Sequence, residues 1–379
     1  MTQPLLQAAD LRGATPLTPA AVVALAGLVE AMRTRGAARP VGGSAEALLA
    51  WLVPALAAAE PHEPPRAERE AVLAALNGIF GDHLAATGNP LAIDMALRRA
   101  GRPLTIDRYG LRARLPEATP RLLLLIHDLC MNDLQWRRDG HDHGEALARE
   151  LGYTPVYLRY NSGLSVSTNG RILAALMERL YDVWPMPVER LVLLGHGMGG
   201  LVARSAIHHG VLLQRGNLRW PARVDDLICL GTPHQGVPLE RAGQGVDLLL
   251  GEAAPYAATL APLVRLAQER SAGLCDLLLG NVLSAGPDDA HPAEQVGLPG
   301  RARCHAIAGS LGSAAADPKS RTAGDGLVSV ASALGEHADP SRRLAFAPDR
   351  RAIVAGTGHL DLLSSPQVCA LLTQWLASP

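Results

Sequence analysis

The stretch Leu191-Val-Leu-Leu-Gly-His-Gly-Met-Gly-Gly-Leu-Val-Ala-Arg204 decides how this chain folds. Its first four residues are all Leu or Val, which is typical of a β-strand that is covered on both faces. Four glycines follow within six residues, and an amphipathic helical pattern comes directly after them. The stretch therefore predicts a buried strand that turns sharply into a helix.

From Leu104 to the C-terminus, short apolar runs alternate with amphipathic helical patterns. This alternation predicts the α/β class, with a mostly parallel, doubly wound sheet built from βαβ units. The predicted strands are Leu104–Tyr109, Arg121–His127, Pro155–Tyr160, Arg190–Gly195, Asp226–Leu230, Cys304–Gly309 and Ala352–Val354. The predicted long helices are Ser167–Trp184, Met198–His209 and Pro366–Leu376.

Two regions depart from this alternation. Residues 1–102 predict a helical N-terminal extension, with breaks at Pro54 and at Pro61–Pro65. The extension forms either a small helical domain or a layer packed on the main domain of residues 103–379, and packing is the favoured interpretation. Residues 236–300 lack strand patterns and predict a helical cap, made of Leu239–Leu250, Ala257–Glu269 and Ser271–Leu283.

Composition excludes several function classes. The formal net charge is −1 and the charges of both signs are interleaved, so we expect no nucleic-acid partner. The five cysteines are scattered without C-x-x-C spacing, which argues against a disulfide framework and a zinc site. No apolar window is long enough to span a bilayer, and the N-terminus lacks a basic secretory start, so we expect a cytoplasmic protein.

Chemistry-bearing residues follow the predicted strands in a fixed order. His127 and Asp128 end the strand that begins at Arg121, Asp325 stands in a Gly-Asp-Gly loop, and His359 stands in a Gly-flanked loop before the last helix. A neutral imidazole is the natural general base near pH 7, and a carboxylate can orient it. A glycine-rich strand-to-helix turn can also hold phosphate, so the turn alone decides little.

The whole constellation resembles the α/β-hydrolase superfamily of serine esterases and lipases. Gly195, His196, Met198 and Gly199 match its G-x-S-x-G nucleophile elbow, and Leu230-Gly-Thr-Pro-His-Gln-Gly236 resembles a motif of bacterial lipases and of esterases like the GPI inositol-deacylases. The resemblance implies Asp325 as the acid, His359 as the base, and the N–H groups of Leu129 and Met198 as the oxyanion hole. It implies a small-molecule ester as substrate and requires no cofactor or metal. The apolar residues of the predicted cap helices suggest that this ester is hydrophobic, although a cap also needs such residues to pack.

Two positions depart from the family pattern. Gly197 stands where the family has the nucleophilic serine, and Asp128 replaces the usual glycine of the His-Gly-x turn. Loss of the nucleophile lowers the turnover of a triad enzyme by roughly 10⁶-fold. We therefore expect an inactive or nearly inactive ester hydrolase. Because Asp325, His359 and the other elbow glycines are retained, an introduced Ser→Gly change is favoured over natural loss.

Alternatives remain for the function and for single residues. The chain could be a non-catalytic protein that binds a hydrophobic ligand, or a hydrolase of amides or lactones, or an acyl transferase. His196 and His234 are interpreted as packing residues, Asp361 as a lesser candidate for the acid, and Ser162 as a serine without an elbow. His141 and His143 form an H-x-H at a helix start, which is more often a solvated cap than a metal site.

Overall fold

The computed structural model describes residues 25–29, 44–56, 67–212, 218–237, 271–283, 296–313 and 322–377. An eight-stranded sheet in the order β2-β1-β4-β3-β5-β6-β7-β8 forms the centre of this part of the chain. Its strands are β1 Ala96–Arg99, β2 Arg102–Pro103, β3 Arg121–Ile126, β4 Thr154–Arg159, β5 Arg190–His196, β6 Val224–Leu230, β7 Arg303–Ser310 and β8 Arg351–Ala355. Strands β3 to β8 pair in parallel, and β1 pairs antiparallel with β2 and β4, so the predicted mostly parallel sheet is confirmed.

Helices connect these strands and cover the sheet. They are α1 Ala45–Leu56, α2 Ala67–Ala86, α3 Arg108–Arg114, α4 His143–Leu151, α5 Val166–Val183, α6 Met198–Leu212, α7 Ala272–Leu279, α8 Val330–Ala333 and α9 Pro366–Ala377. Side chains cap several of them: Asp142 accepts from the N–H of Glu145 at the start of α4, and Ser165 accepts from that of Thr168 at the start of α5. No helix within the described ranges is long and apolar enough to cross a membrane.

The central strands set the position of the site. In the register, Ile126 of β3 lies beside Gly195 of β5, which lies beside Cys229 of β6. The carboxyl ends of these strands therefore meet at one edge, where ligands bind in open parallel sheets. Almost every residue of β3, β5 and β6 is buried, because helices cover both faces.

Several local predictions were wrong. The predicted strand Leu104–Tyr109 is a turn leading into α3, because the Asp107 side chain caps that helix by accepting from the N–H of Gly110. Residues 96–99, predicted as helix, form β1 of the sheet. Pro54 does not end a helix: α1 continues through it to Leu56, although Pro54 has no N–H and cannot donate the hydrogen bond that a helix makes to the residue four positions earlier.

Helix α2 is tied to the sheet by buried charges. Its Glu70 carboxylate accepts from Arg98 of β1 at 3.1 Å and from Arg159 of β4 at 2.9 Å. The apolar face of α2 also joins the same hydrophobic core as the central strands. The division at residues 102 and 103 stays a prediction. Of the predicted cap helices, Ser271–Leu283 appears as α7, while Leu239–Leu250 and Ala257–Glu269 lie outside the described residues.

Candidate active site

A glycine turn joins β5 to α6. Gly197 adopts a φ of +51°, a left-handed conformation that other residues reach only with strain. A Cβ on Gly195 would lie 2.4 Å from the amide nitrogen of Gly200, and one on Gly199 would lie 2.1 Å from the carbonyl oxygen of Ile126. These contacts show why strand and helix can pass so closely only with glycines, and they give the segment the geometry of a nucleophile elbow.

Asp325 and His359 meet beside this elbow. The Oδ2 atom of Asp325 lies 2.7 Å from Nδ1 of His359, and the backbone N–H of His359 donates to the Asp325 carbonyl at 2.9 Å. The other carboxylate oxygen accepts from the N–H groups of Leu327 and Val328. The acid is thus held from both sides, and Nδ1 of His359 carries the hydrogen that it donates to Asp325.

The third member of the site is Asp128, which sequence reasoning did not assign to it. Its Oδ1 atom accepts from the N–H of Leu129 at 2.7 Å and from the N–H of Met198 at 2.6 Å. Its Oδ2 atom lies 2.9 Å from Nε2 of His359. One carboxylate therefore takes both predicted oxyanion-hole donors and also faces the base.

The position of Asp128 depends on the glycine at 197. A Cβ at Gly197 would lie 2.1 Å from Cγ of Asp128 and 2.2 to 2.3 Å from its two oxygens, far inside van der Waals contact. The Asp128 carboxylate thus fills the space in which a side chain of residue 197 would stand. The sequence does show that residues 128 and 197 both depart from the family pattern. It does not show that these two residues contact each other.

The electrostatics of the site follow from two carboxylates around one imidazole. Burial opposes the charged form of His359, but Asp325 and Asp128 outweigh it and raise its pKa to about 10. Burial likewise opposes ionisation of Asp128, but the hydrogen bond and charge of His359 leave the pKa of Asp128 below its ordinary value. At neutral pH the site is an imidazolium between two carboxylates, with Asp128, Asp325 and His359 all at most 1 % exposed.

Two neighbouring histidines support the backbone of the site. Nε2 of His196 donates to the carbonyl of His359 at 3.0 Å, and Nδ1 of His127 donates to the carbonyl of Asp128 at 2.8 Å. Burial lowers the pKa of each of these rings to about 4, so both are neutral. Asp128, His196 and His359 are close enough to share a metal ion, but both ring nitrogens of His359 donate to carboxylates, so the protonated ring offers no lone pair to a metal.

The remaining candidates lie apart from the reacting atoms. His234 is buried against Arg204, with 3.1 Å between Nδ1 and Nη1. The buried Ser162 accepts from the N–H of Cys130. Asp361 is 56 % exposed and contacts the N–H of Gly358 instead of the His359 ring, so it does not serve as the acid. The structure thus brings Gly197, Asp325, His359 and the N–H groups of Leu129 and Met198 together, and their catalytic roles stay predictions.

Comparison with known proteins finds one family model and several solved structures to which this chain is similar. Residues 158–254 match a family model described as a PGAP1-like alpha/beta domain. Among solved structures, the mature Bacillus licheniformis lipase BlEst2 is similar at 20% identity and a TM-score of 0.43, covering 68% of this chain and 91% of the lipase. The thioesterase RedJ of the Streptomyces coelicolor prodiginine pathway is similar at 18% identity and a TM-score of 0.38, covering 70% and 92%. No curated protein matches the chain.

The strand order and the glycine turn between β5 and α6 are those of the α/β-hydrolase fold, as the sequence predicts. The segment that matches the PGAP1-like domain contains this glycine turn and the Gly-Thr-Pro-His turn after β6.

Proposed function

We propose that this protein is a carboxylic ester hydrolase by descent whose site is closed by its own Asp128, so that it does not hydrolyse esters at neutral pH. One observation carries the proposal: the Asp128 carboxylate binds both N–H donors of the oxyanion hole and the base at the same time. Ester hydrolysis needs a nucleophile, a neutral base and an empty oxyanion hole. Gly197 supplies no oxygen, His359 is protonated, and the donors are occupied.

The same contact bears on the origin of Gly197. A serine introduced at this position would place its Cβ inside the Asp128 carboxylate, so Gly197 makes room for Asp128 and Asp128 excludes the family serine at 197. We therefore propose a paired natural replacement, in which glycine at 128 and serine at 197 gave way to Asp128 and Gly197. This differs from the introduced Ser→Gly change favoured on the sequence alone.

A set of four proteins tests the proposal: the natural chain, Asp128→Gly, Gly197→Ser and the double variant Asp128→Gly/Gly197→Ser. Each is assayed on p-nitrophenyl esters from acetate to palmitate. Only the double variant should combine a nucleophile, a free oxyanion hole and a base relieved of one carboxylate. It should exceed the other three by several orders of magnitude, up to roughly 10⁶-fold, and the best chain length would size the acyl site.

A serine-directed phosphonate probe shows whether the double variant has a reactive serine even if none of the tested esters is its substrate. It should label the double variant, and adding His359→Gln should abolish the labelling while leaving the protein folded. If Gly197→Ser alone hydrolyses esters as well as the double variant, Asp128 does not close the site. If the double variant is folded but neither turns over esters nor reacts with the probe, descent from an ester hydrolase is the wrong assignment.

A second function is favoured by the separate surroundings of the two Asp128 oxygens. With Oδ1 held by two N–H groups and Oδ2 facing His359, the carboxylate has the arrangement of a covalent nucleophile. Oδ2 would attack an electrophilic alkyl carbon and expel an anionic leaving group with its electron pair. The neutralised Asp128 would no longer raise the pKa of His359, which could lose its proton to solvent and then accept one from the water that cleaves the ester.

This second function is tested on the natural chain alone. Incubation with alkyl halides in ¹⁸O-labelled water should place the label in the peptide that contains Asp128, since water attacks the carbonyl carbon of the enzyme ester. Asp128→Asn should remove both turnover and label. Turnover without any label in Asp128 would show that its carboxylate is not the nucleophile.

A further inference from the structure

Two histidines and a cysteine from distant parts of the chain meet on the side of α4. His141 precedes this helix, His143 begins it, and Cys369 lies on α9. One ring nitrogen of each histidine and the Cys369 sulfur all lie within 4.8 Å of one another. Nε2 of His141 is 2.8 Å from Nδ1 of His143. The interpretation of His143 as a solvated cap is therefore wrong, since it is fully buried and Asp142 caps the helix.

We propose that His141, His143 and Cys369 form a binding site for a zinc-class divalent cation. Two imidazole nitrogens and one thiolate are the ligand types that zinc prefers, whereas harder ions such as Mg²⁺ and Ca²⁺ select oxygen. No local sequence pattern indicates a third ligand, because Cys369 comes more than two hundred residues after the H-x-H pair. Only the return of α9 against α4 brings it there.

The contacts of His143 prepare its ring for a metal. Nε2 lies 2.9 Å from the Leu362 carbonyl oxygen, and because a carbonyl can only accept, Nε2 must carry the hydrogen. The lone pair of the neutral ring is therefore on Nδ1, which faces His141. A backbone carbonyl that orients a ligating histidine in this way is a common feature of metal sites.

The position of the His141, His143 and Cys369 cluster determines how an ion would reach it and what binding would do to the protein. His141 is half-buried and lines a surface cavity of about 630 Å³ together with Asp142 and Glu145, which gives an ion a route from solvent. His143 and Leu362 are 219 residues apart, and Leu362 follows His359 by three residues. A bound cation would thus clamp α4 and α9 beside the loop that carries His359 and would stabilise the folded chain by mass action.

Zinc titration of the full-length, chelator-treated protein tests the site. Calorimetry should show one Zn²⁺ per chain, and Co²⁺ should give a thiolate-to-metal charge-transfer band. His141→Ala and Cys369→Ser should each lower the affinity at least tenfold and remove the band. Cys275→Ser is the matched control, since Cys275 is a similarly half-buried thiol on α7, and it should bind as the natural chain does.

Site-resolved alkylation gives a second readout. Zn²⁺ should protect Cys369 from iodoacetamide and leave the reaction of Cys275 unchanged. The proposal is overturned if Zn²⁺ does not bind in a saturable one-to-one manner, or if the His141 and Cys369 variants bind it as tightly as the natural chain. It is also overturned if Asp128→Gly abolishes binding while Cys369→Ser does not, because the ion would then lie at the Asp128, His196 and His359 cluster.

Discussion

Replacing Gly197 by alanine should show how tightly the elbow and Asp128 depend on each other. In the natural chain the new Cβ would stand 2.1 Å from Cγ of Asp128, so the carboxylate must leave its place. It would then lose the N–H donors of Leu129 and Met198 and the contact with His359. With Asp128→Gly already present, the same alanine meets no carboxylate.

The size of the effect follows from these contacts. The left-handed φ of +51° costs an alanine about 1–2 kcal/mol. Separating a buried charge from its partners costs about 3–5 kcal/mol. Gly197→Ala should therefore destabilise the natural chain by about 4–7 kcal/mol but the Asp128→Gly chain by only about 1–2 kcal/mol. The double variant should be less destabilised than the sum of the two single changes by about 3–5 kcal/mol.

Urea denaturation of the four proteins measures this coupling, with Gly88→Ala as the control for backbone strain. Gly88 has a similar φ of +62°, and a Cβ at this position would have no atom within 4 Å. Its replacement by alanine therefore measures only the free-energy cost of placing a side chain on left-handed backbone. Gly88→Ala should combine additively with Asp128→Gly. The reasoning fails if Gly197→Ala and Asp128→Gly are also additive within about 0.5 kcal/mol, since the carboxylate would then not occupy the space beside Gly197.

Three further predictions concern buried charges. The pKa of His359 is raised from its ordinary value to about 10 in the folded chain, so the stability that its protonation contributes is complete below pH 6.5 and is lost as the pH rises through 10. Urea denaturation between pH 7 and 10 should show the free energy of unfolding fall by up to about 1.4 kcal/mol per pH unit, and His359→Gln should lack this fall. Asp325→Asn should lower the pKa of His359, because Asp325 is the largest influence that raises it, and NMR titration of the ring would detect no change if Asp128 alone held the proton. Glu70→Ala should destabilise the chain by about 3–5 kcal/mol in urea, because it leaves Arg98 and Arg159 without their shared buried carboxylate; a loss below about 1 kcal/mol would show that α2 is not tied to the sheet by this cluster.

The parallel sheet could be predicted from the sequence because its signals are local. Strands such as β3 and β5 are continuous apolar runs, and the glycines at the elbow indicate the turn directly. The errors lie where a single polar side chain decides the local structure. Asp107 caps a helix within the stretch Leu104–Tyr109, whose Leu, Ile and Tyr otherwise favour a strand. The short β1 is stabilised by pairing with β4, which no local pattern reveals.

The candidate site shows a different kind of limit. Motif order selected Asp325 and His359 as candidates, and the structure brings them together because each follows a strand whose carboxyl end reaches the same edge of the sheet. It did not identify Asp128 as their partner, since that role depends on the distance between two loops. Considered alone, Asp128 is only a departure from the glycine expected in the oxyanion-hole turn, and Gly197 is only a departure from the expected nucleophilic serine.

Under the proposed function, these two residues together keep the charge pattern of a catalytic triad while removing its nucleophile. In a working hydrolase the oxyanion hole stabilises negative charge only as the reaction proceeds, and the base is protonated only after it accepts the proton of serine. Here the Asp128 carboxylate supplies that negative charge in the resting protein, and His359 carries that proton at neutral pH because its pKa is raised to about 10. The site thus resembles the charge distribution of the tetrahedral intermediate, fixed in the resting protein. Groups that are arranged to bind a transient negative charge are also well arranged to bind a fixed one. This explains how the single Asp128 carboxylate satisfies the N–H groups of Leu129 and Met198 and the His359 ring. It also explains why these donors remain in place without a nucleophile.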